Sequence, residues 1–130
     1  MTIALEYIAD GDSGRPLLLL WGGEPAEIEV LRRAIRNLAD GRAESLAIHE
    51  LHCVGPVGGV ELFALRRKWS RGVVPRARAG SFDWILHGWQ WDNVEGLLVP
   101  FAFRALSYPN GFQYLSQAGD IEVIVSRDGS

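Results

Sequence analysis

The chain has one cysteine, Cys53, among its 130 residues. An internal disulfide framework is thereby excluded, and a reducing compartment is expected. Long apolar runs are missing too. The longest, Leu17–Trp21, is far too short to cross a bilayer. No basic segment followed by an apolar run opens the sequence, so no signal peptide and no membrane association are expected. Positive charge is not in excess: 13 basic residues against 16 acidic ones give a net charge of −3, so the chain as a whole carries no nucleic-acid signature. Internal repeats, low-complexity tracts and long linkers are also lacking. These absences lead to the expectation of a single soluble, cytoplasmic domain spanning residues 1–130.

What is present suits a globular fold. The chain is 48% hydrophobic and 22% charged, and it is long enough to bury a core without staples. Residues 3–9 alternate with apolar groups on both faces, as in a strand covered on both sides. A turn by composition follows at residues 11–16, and Leu17–Trp21 reads as a buried strand. The two strands are expected to pair as an antiparallel hairpin.

Gly22-Gly23-Glu24-Pro25 opens the clearest helix, with Pro25 at its first position. Ile28, Leu31, Ile35 and Leu38 form its buried stripe, and Asp40-Gly41 supplies the stop. Acidic Glu24, Glu27 and Glu29 precede basic Arg32, Arg33 and Arg36, the order the helix dipole prefers. Glu29 and Arg33 are spaced to pair. The Gly22-Gly23 turn lacks the remaining glycines or lysine of a phosphate-binding loop, and three glutamates would repel a phosphate. It is read as a tight strand-to-helix turn.

Residues 44–52 read as a strand through Leu46, Ile48 and Leu51. A turn follows at Gly55 to Gly59, and residues 60–66 form another strand, with Val60, Leu62 and Ala64 on one face. His49, His52 and Cys53 raise the question of zinc. On a strand, His49 and His52 fall on opposite faces, and no second ligand pair follows. No metal, no cofactor and no catalytic set are expected. A Cys53 nucleophile lacks a marked histidine partner or oxyanion hole.

Residues 66–78, RRKWSRGVVPRAR, hold six of the 13 basic residues and no acid, so the other seven basic residues stand among all 16 acids. The surface is therefore polarised, which suits steering toward a protein partner better than wrapping DNA. Trp69 and Arg71 lie in this segment. It fits a phosphate- or acid-binding hairpin with Trp69 free to stack, but a solvated loop or edge strand protected by its charges is the preferred reading.

The stretch 81–106 contains three of the five tryptophans. Phe82, Trp84 and Leu86 alternate with Asp83, Ile85 and His87 as in a strand, and Trp84 is expected in the core. Asp83 and His87 are then roughly 13 Å apart and form no dyad. Asp92 looks like an N-cap with Glu95 in the capping-box position, followed by the stripe Val94, Leu97, Leu98, Phe101 and Ala105. Pro100 predicts a kink or break. His87, Trp89 and Trp91 lie at the strand–helix junction, where the rings suit a pocket or partner face as well as a core. After a Tyr108-Pro109-Asn110-Gly111 turn, residues 112–115 read as a strand or helical turn, and Ile121, Val123 and Val125 mark a last strand.

The element order ββαβββαβ predicts an α+β fold: a mixed, largely antiparallel sheet of six or seven strands with two main helices. A right-handed βαβ unit is expected within residues 17–59. In size, acidity and lack of catalytic signature the chain resembles small bacterial immunity and accessory proteins, a compositional likeness that assigns no residue. The expected function is non-enzymatic protein binding through an aromatic and charged face that includes His87, Trp89, Trp91, Trp69 and Arg71. The alternative is a small-molecule-binding or enzymatic domain with a pocket near His87, Trp89 and Trp91. A homo-oligomer stays open.

Overall fold

The hairpin predicted at the N-terminus is the hub of a five-stranded sheet. In the computed structural model, which describes residues 2–11, 14–103, 111–117 and 119–127, β1 (Ile3–Ile8) pairs antiparallel with β2 (Leu17–Trp21). A short β4 (Val54–Pro56) adds parallel to β1. On the other side β9 (Glu122–Ser126) runs parallel to β2, and β8 (Phe112–Ser116) completes the order β4-β1-β2-β9-β8. Side chains at every second position face one way. Ile3, Leu5, Leu18, Leu20, Val123 and Val125 therefore share one face, and all are fully buried.

The remaining strands form a second, four-stranded sheet. Its order is β3 (Ser45–Ala47), β5 (Glu61–Arg66), β7 (Ser81–Leu86), β6 (Gly72–Pro75). The α+β class holds, with strands divided between two mixed sheets rather than gathered in one. The expected βαβ unit does not form: β3 belongs to the other sheet, and β4, in the same sheet as β2, pairs with β1 and runs antiparallel to β2. The strand predicted over residues 44–52 is shorter. It stops at Ala47, and Ile48–Glu50 make a 3-10 turn that buries Ile48.

Helix α1 (Pro25–Ala39) starts and ends as its residues dictate. The Glu24 and Glu27 side chains form a reciprocal capping box around the first turn. At the other end Gly41, at φ 78°, closes a Schellman motif: Arg42 N–H donates to the Asn37 carbonyl and Gly41 N–H to that of Leu38. Ile28, Leu31, Ile35 and Leu38 are buried, as their spacing requires.

Helix α2 (Gly88–Ala102) begins one turn earlier than the apparent cap at Asp92. Trp91 is the reason: it leads the buried series Trp91, Val94, Leu98 and Phe101. Asp92 and Glu95 have other partners. Arg36 donates to Asp92 at 2.6 Å and to Glu95 at 2.9 Å, and Arg32 reaches Glu95 at 3.1 Å. Late residues of α1 meet early residues of α2, so the two helices run antiparallel. Pro100 stands in the last turn of α2, which ends two residues later at Ala102. Both helix stripes and the inner faces of both sheets contribute to one contiguous apolar core. The end of the predicted stripe at Ala105, the residues 108–110 turn and the last three residues lie outside the described residues. No helix among the described residues is long and apolar enough to cross a membrane.

Candidate functional site

Two chain segments far apart in sequence close against each other at one end of the four-stranded sheet. The first is the 67–71 loop joining β5 to β6, the second the turn from β7 into α2. Arg67 N–H donates to the Leu86 carbonyl at 3.0 Å, and Arg71 N–H to that of Ile85 at 2.9 Å. Between these anchors the Ser70 hydroxyl accepts the His87 N–H at 3.0 Å and bonds the Gln90 side chain. Both hydrogen-bonding roles of Ser70 are thus occupied in fastening the basic loop to the start of α2.

This fastening places two indoles at the surface. Trp69 is 73% exposed and Trp89 is 71% exposed, each one residue from a member of the Ser70–Gln90 pair. Single exposed apolar residues are common on proteins. Two tryptophans flanking one hydrogen bond, one of them on the basic 67–71 loop, form a local feature. The half-buried His87 ring meets Trp89 edge-on, with centroids 5.5 Å apart, so the first turn of α2 presents both rings together.

Trp91 is placed differently from the expectation that listed it as a binding residue. It is fully buried, its indole N–H donates to the Leu65 carbonyl at 3.1 Å, and its ring meets Trp84 edge to face at 4.8 Å. The physical reason is helical phase: two residues beyond Trp89, its side chain has turned from solvent to core. The structure brings Trp69, Arg71, His87 and Trp89 to one end of the sheet and keeps Trp91 beneath it.

The sequence reading missed Arg66. Alternation along β5 places Leu62, Ala64 and Arg66 on one face, so the core-facing series ends in a cation. That signal is readable without a structure. The Arg66 guanidinium lies between the C-terminal turn of α1 and the N-terminus of α2. A Cβ on Gly88 would fall 2.4 Å from its Nη2, and one on Gly41 would fall 3.6 Å from its Cζ. The absence of a side chain at Gly88 is what admits the guanidinium. Its Nε is buried with no hydrogen-bond partner among the described residues. Glu44, Arg66, Arg67 and Lys68 line an open cleft of about 500 Å³ at this point. The first turn of α2 contains no acidic residue, and no side chain caps it.

A second cleft, of about 210 Å³, lies between α2 and β8, bordered by Gln90, Asn93, Leu97, Tyr114 and Ser116 among others. The rings of His87, Trp89 and Trp91 do not line it.

Compared with family models, curated proteins and solved structures, the chain matches none. The site must be argued from its own chemistry.

His49, singled out in the sequence, is engaged elsewhere. His49 is not on a strand with His52. It sits in the 3-10 turn, where its Nδ1 accepts the Leu62 N–H at 3.0 Å, leaving the ring proton on Nε2. Among the described residues, no three His, Cys, Asp or Glu side chains converge as metal ligands. Burial pushes the Cys53 thiol pKa up, the opposite of what activates a cysteine nucleophile.

Proposed function

We propose that the protein is a non-enzymatic binding protein that recognises another protein through the face built from the 67–71 loop and the start of α2. The observation that carries this reading is the exposure of Trp69 and Trp89 beside Arg67, Lys68 and Arg71, on segments fastened together through Ser70. Tryptophan and arginine are the residue types that most often dominate binding energy at protein interfaces. The two indoles and the His87 ring supply contact area, and the cations around them supply orientation and partner discrimination.

The chemistry at this end of the molecule favours binding over turnover. The Ser70 hydroxyl is paired with an amide and a backbone N–H, with no imidazole in the arrangement. A pocket-based enzyme or small-molecule binder is the weaker reading, because none of the three rings at the strand–helix junction lines either of the clefts described above.

The test is affinity purification from the native host with the wild-type chain, Trp89→Ala and Trp69→Ala side by side. A protein recovered in near-stoichiometric amount with wild type and lost with the variants supports the reading. A metabolite that copurifies equally with all three chains supports the small-molecule alternative.

A further inference from the structure

The ion pairs of this chain are unevenly placed. Arg15, Arg32, Arg33, Arg36, Arg76 and Arg78 each have a carboxylate within 4.0 Å: Glu122, Glu29, Glu29, Asp92, Asp83 and Glu61 respectively. Arg127 is held by the Pro100 carbonyl and lies over the Phe101 ring. Among the described residues, the side chains of Arg42, Arg66, Arg67, Lys68 and Arg71 have no carboxylate partner. These cations are not scattered. Arg66, Arg67, Lys68 and Arg71 lie on one strand end and its loop, and Arg42 follows Gly41, against which the Arg66 guanidinium rests.

We propose that the cleft of Arg66, Arg67 and Lys68 receives the carboxylates of an acidic segment of a partner protein, with Trp69 and Trp89 flanking it. This rests on the protein-binding reading above and assigns the chemistry of the partner. Three features carry it. The first is an uncompensated set of cations at one place, in a chain where six other arginines each have a carboxylate within 4.0 Å. The second is the Arg66 Nε, a buried donor without an acceptor. That nitrogen is packed against Gly88, out of a ligand's reach, and no carboxylate among the described residues meets the guanidinium charge; an incoming carboxylate would accept from the terminal nitrogens. The third is the start of α2 beside it, which adds no negative charge of its own.

Carboxylates fit better than a nucleic-acid backbone. A continuous polyanion needs a long basic track. Here the cations occupy one loop, and the chain outside residues 66–78 carries seven basic residues against 16 acids. A short acidic segment needs only the local cluster. Glu44 is the one carboxylate lining the cleft, and it forms no ion pair with a described residue. It opposes an anionic ligand, so Glu44→Gln tightens binding.

The experiment is fluorescence anisotropy with a dye-labelled twelve-residue peptide of alternating glutamate and glycine, beside a labelled twelve-nucleotide thymidine strand. The proteins are the full chain, Arg66→Met, Gly88→Ala, Glu44→Gln and the control Arg33→Met on the exposed side of α1. Gly88→Ala keeps every charge but occupies the space of the guanidinium, so it displaces Arg66 without removing it. Saturable peptide binding, weakened at least tenfold by Arg66→Met and by Gly88→Ala, unchanged by Arg33→Met and falling with added salt, supports the proposal. Melting of both cleft variants within a few degrees of wild type shows that the loss is local; should Arg66→Met fail to fold, Gly88→Ala carries the comparison. No saturable binding of the peptide, an equal loss with Arg33→Met, or tighter binding of the nucleotide strand overturns it. If the peptide does not bind while Trp89→Ala still loses a protein partner, the carboxylate assignment fails and the protein-binding reading stands. If the peptide binds through Arg66 but the wild-type chain captures no protein, the protein-binding reading is the one that fails.

Discussion

Trp84 of β7 and Trp91 of α2 meet edge to face in the core, with ring centroids 4.8 Å apart and planes 67° apart. They stand seven positions apart in sequence, and the strand-to-helix turn lies between. Each ring is fully buried, and with the Trp91 N–H bond to Leu65 this contact joins the four-stranded sheet to the second helix. Truncating either tryptophan to alanine is expected to cost about 3–5 kcal/mol, as large aromatic deletions in cores do. Because the rings touch, the double variant should cost less than the sum of the two, and thermal or urea melts of the three variants measure that difference. Trp84→Phe should be much milder. It retains a ring and removes an indole N–H that is buried without a hydrogen-bond partner among the described residues.

The two helices are tied by a different chemistry. Glu95, whose side chain is 10% exposed, accepts from both Arg32 and Arg36. Glu95→Gln keeps the shape and removes the charge. Both arginines retain other partners, Glu29 for one and Asp40 and Asp92 for the other, so no isolated buried charge is left behind. The cost is therefore expected at about 1.5–3 kcal/mol, the range of hydrogen bonds to charged groups, below that of breaking an isolated buried pair. Chemical denaturation of the variant checks it.

Acid should weaken the same network through Glu29. The Arg32 guanidinium, assisted by that of Arg33, lowers the Glu29 pKa from 4.5 to about 2. A carboxylate whose folded-state pKa lies below its unfolded value stabilises the fold above the unfolded value. That contribution disappears as pH falls from 4.5 toward about 2. Wild type should exceed Glu29→Gln in stability at neutral pH, and the gap should close across this window. A gap independent of pH would show that the Glu29 charge contributes nothing.

Much of the fold was legible because buried periodicity is strong in this chain. The Ile28–Leu38 stripe, the alternation of Phe82, Trp84 and Leu86 and the β1–β2 hairpin follow directly from spacing. The start of α2 was not legible. Asp92 and Glu95 imitate a capping box, and only the arrival of Arg32 and Arg36 from another helix shows what they pair with. The division into two sheets was also hidden, since nothing local states that Leu17–Trp21 will take β9 as its second neighbour or that Ser45–Ala47 will pair with β5. At the candidate site, Trp69 and Arg71 stood out by composition and Trp89 by its position after a strand. Trp91 misled because a turning chain and the first turn of a helix look alike in sequence. Arg66 was readable as the cation ending an apolar alternation. Its vacant donor depends on the approach of Gly88 and could not be read from spacing.

The central claim, that the exposed face around Trp69 and Trp89 is a protein-binding surface, is tested most directly by titrating the partner recovered from the host against wild type and Trp89→Ala. Trp89 is 71% exposed, so its truncation should change stability by no more than about 0.5 kcal/mol. At a binding hot spot the same truncation costs about 2 kcal/mol or more, roughly a thirtyfold loss of affinity. The account predicts that separation: an unchanged melt and a Kd raised about thirtyfold. A Trp89→Ala chain that binds the partner within twofold of wild type would contradict it.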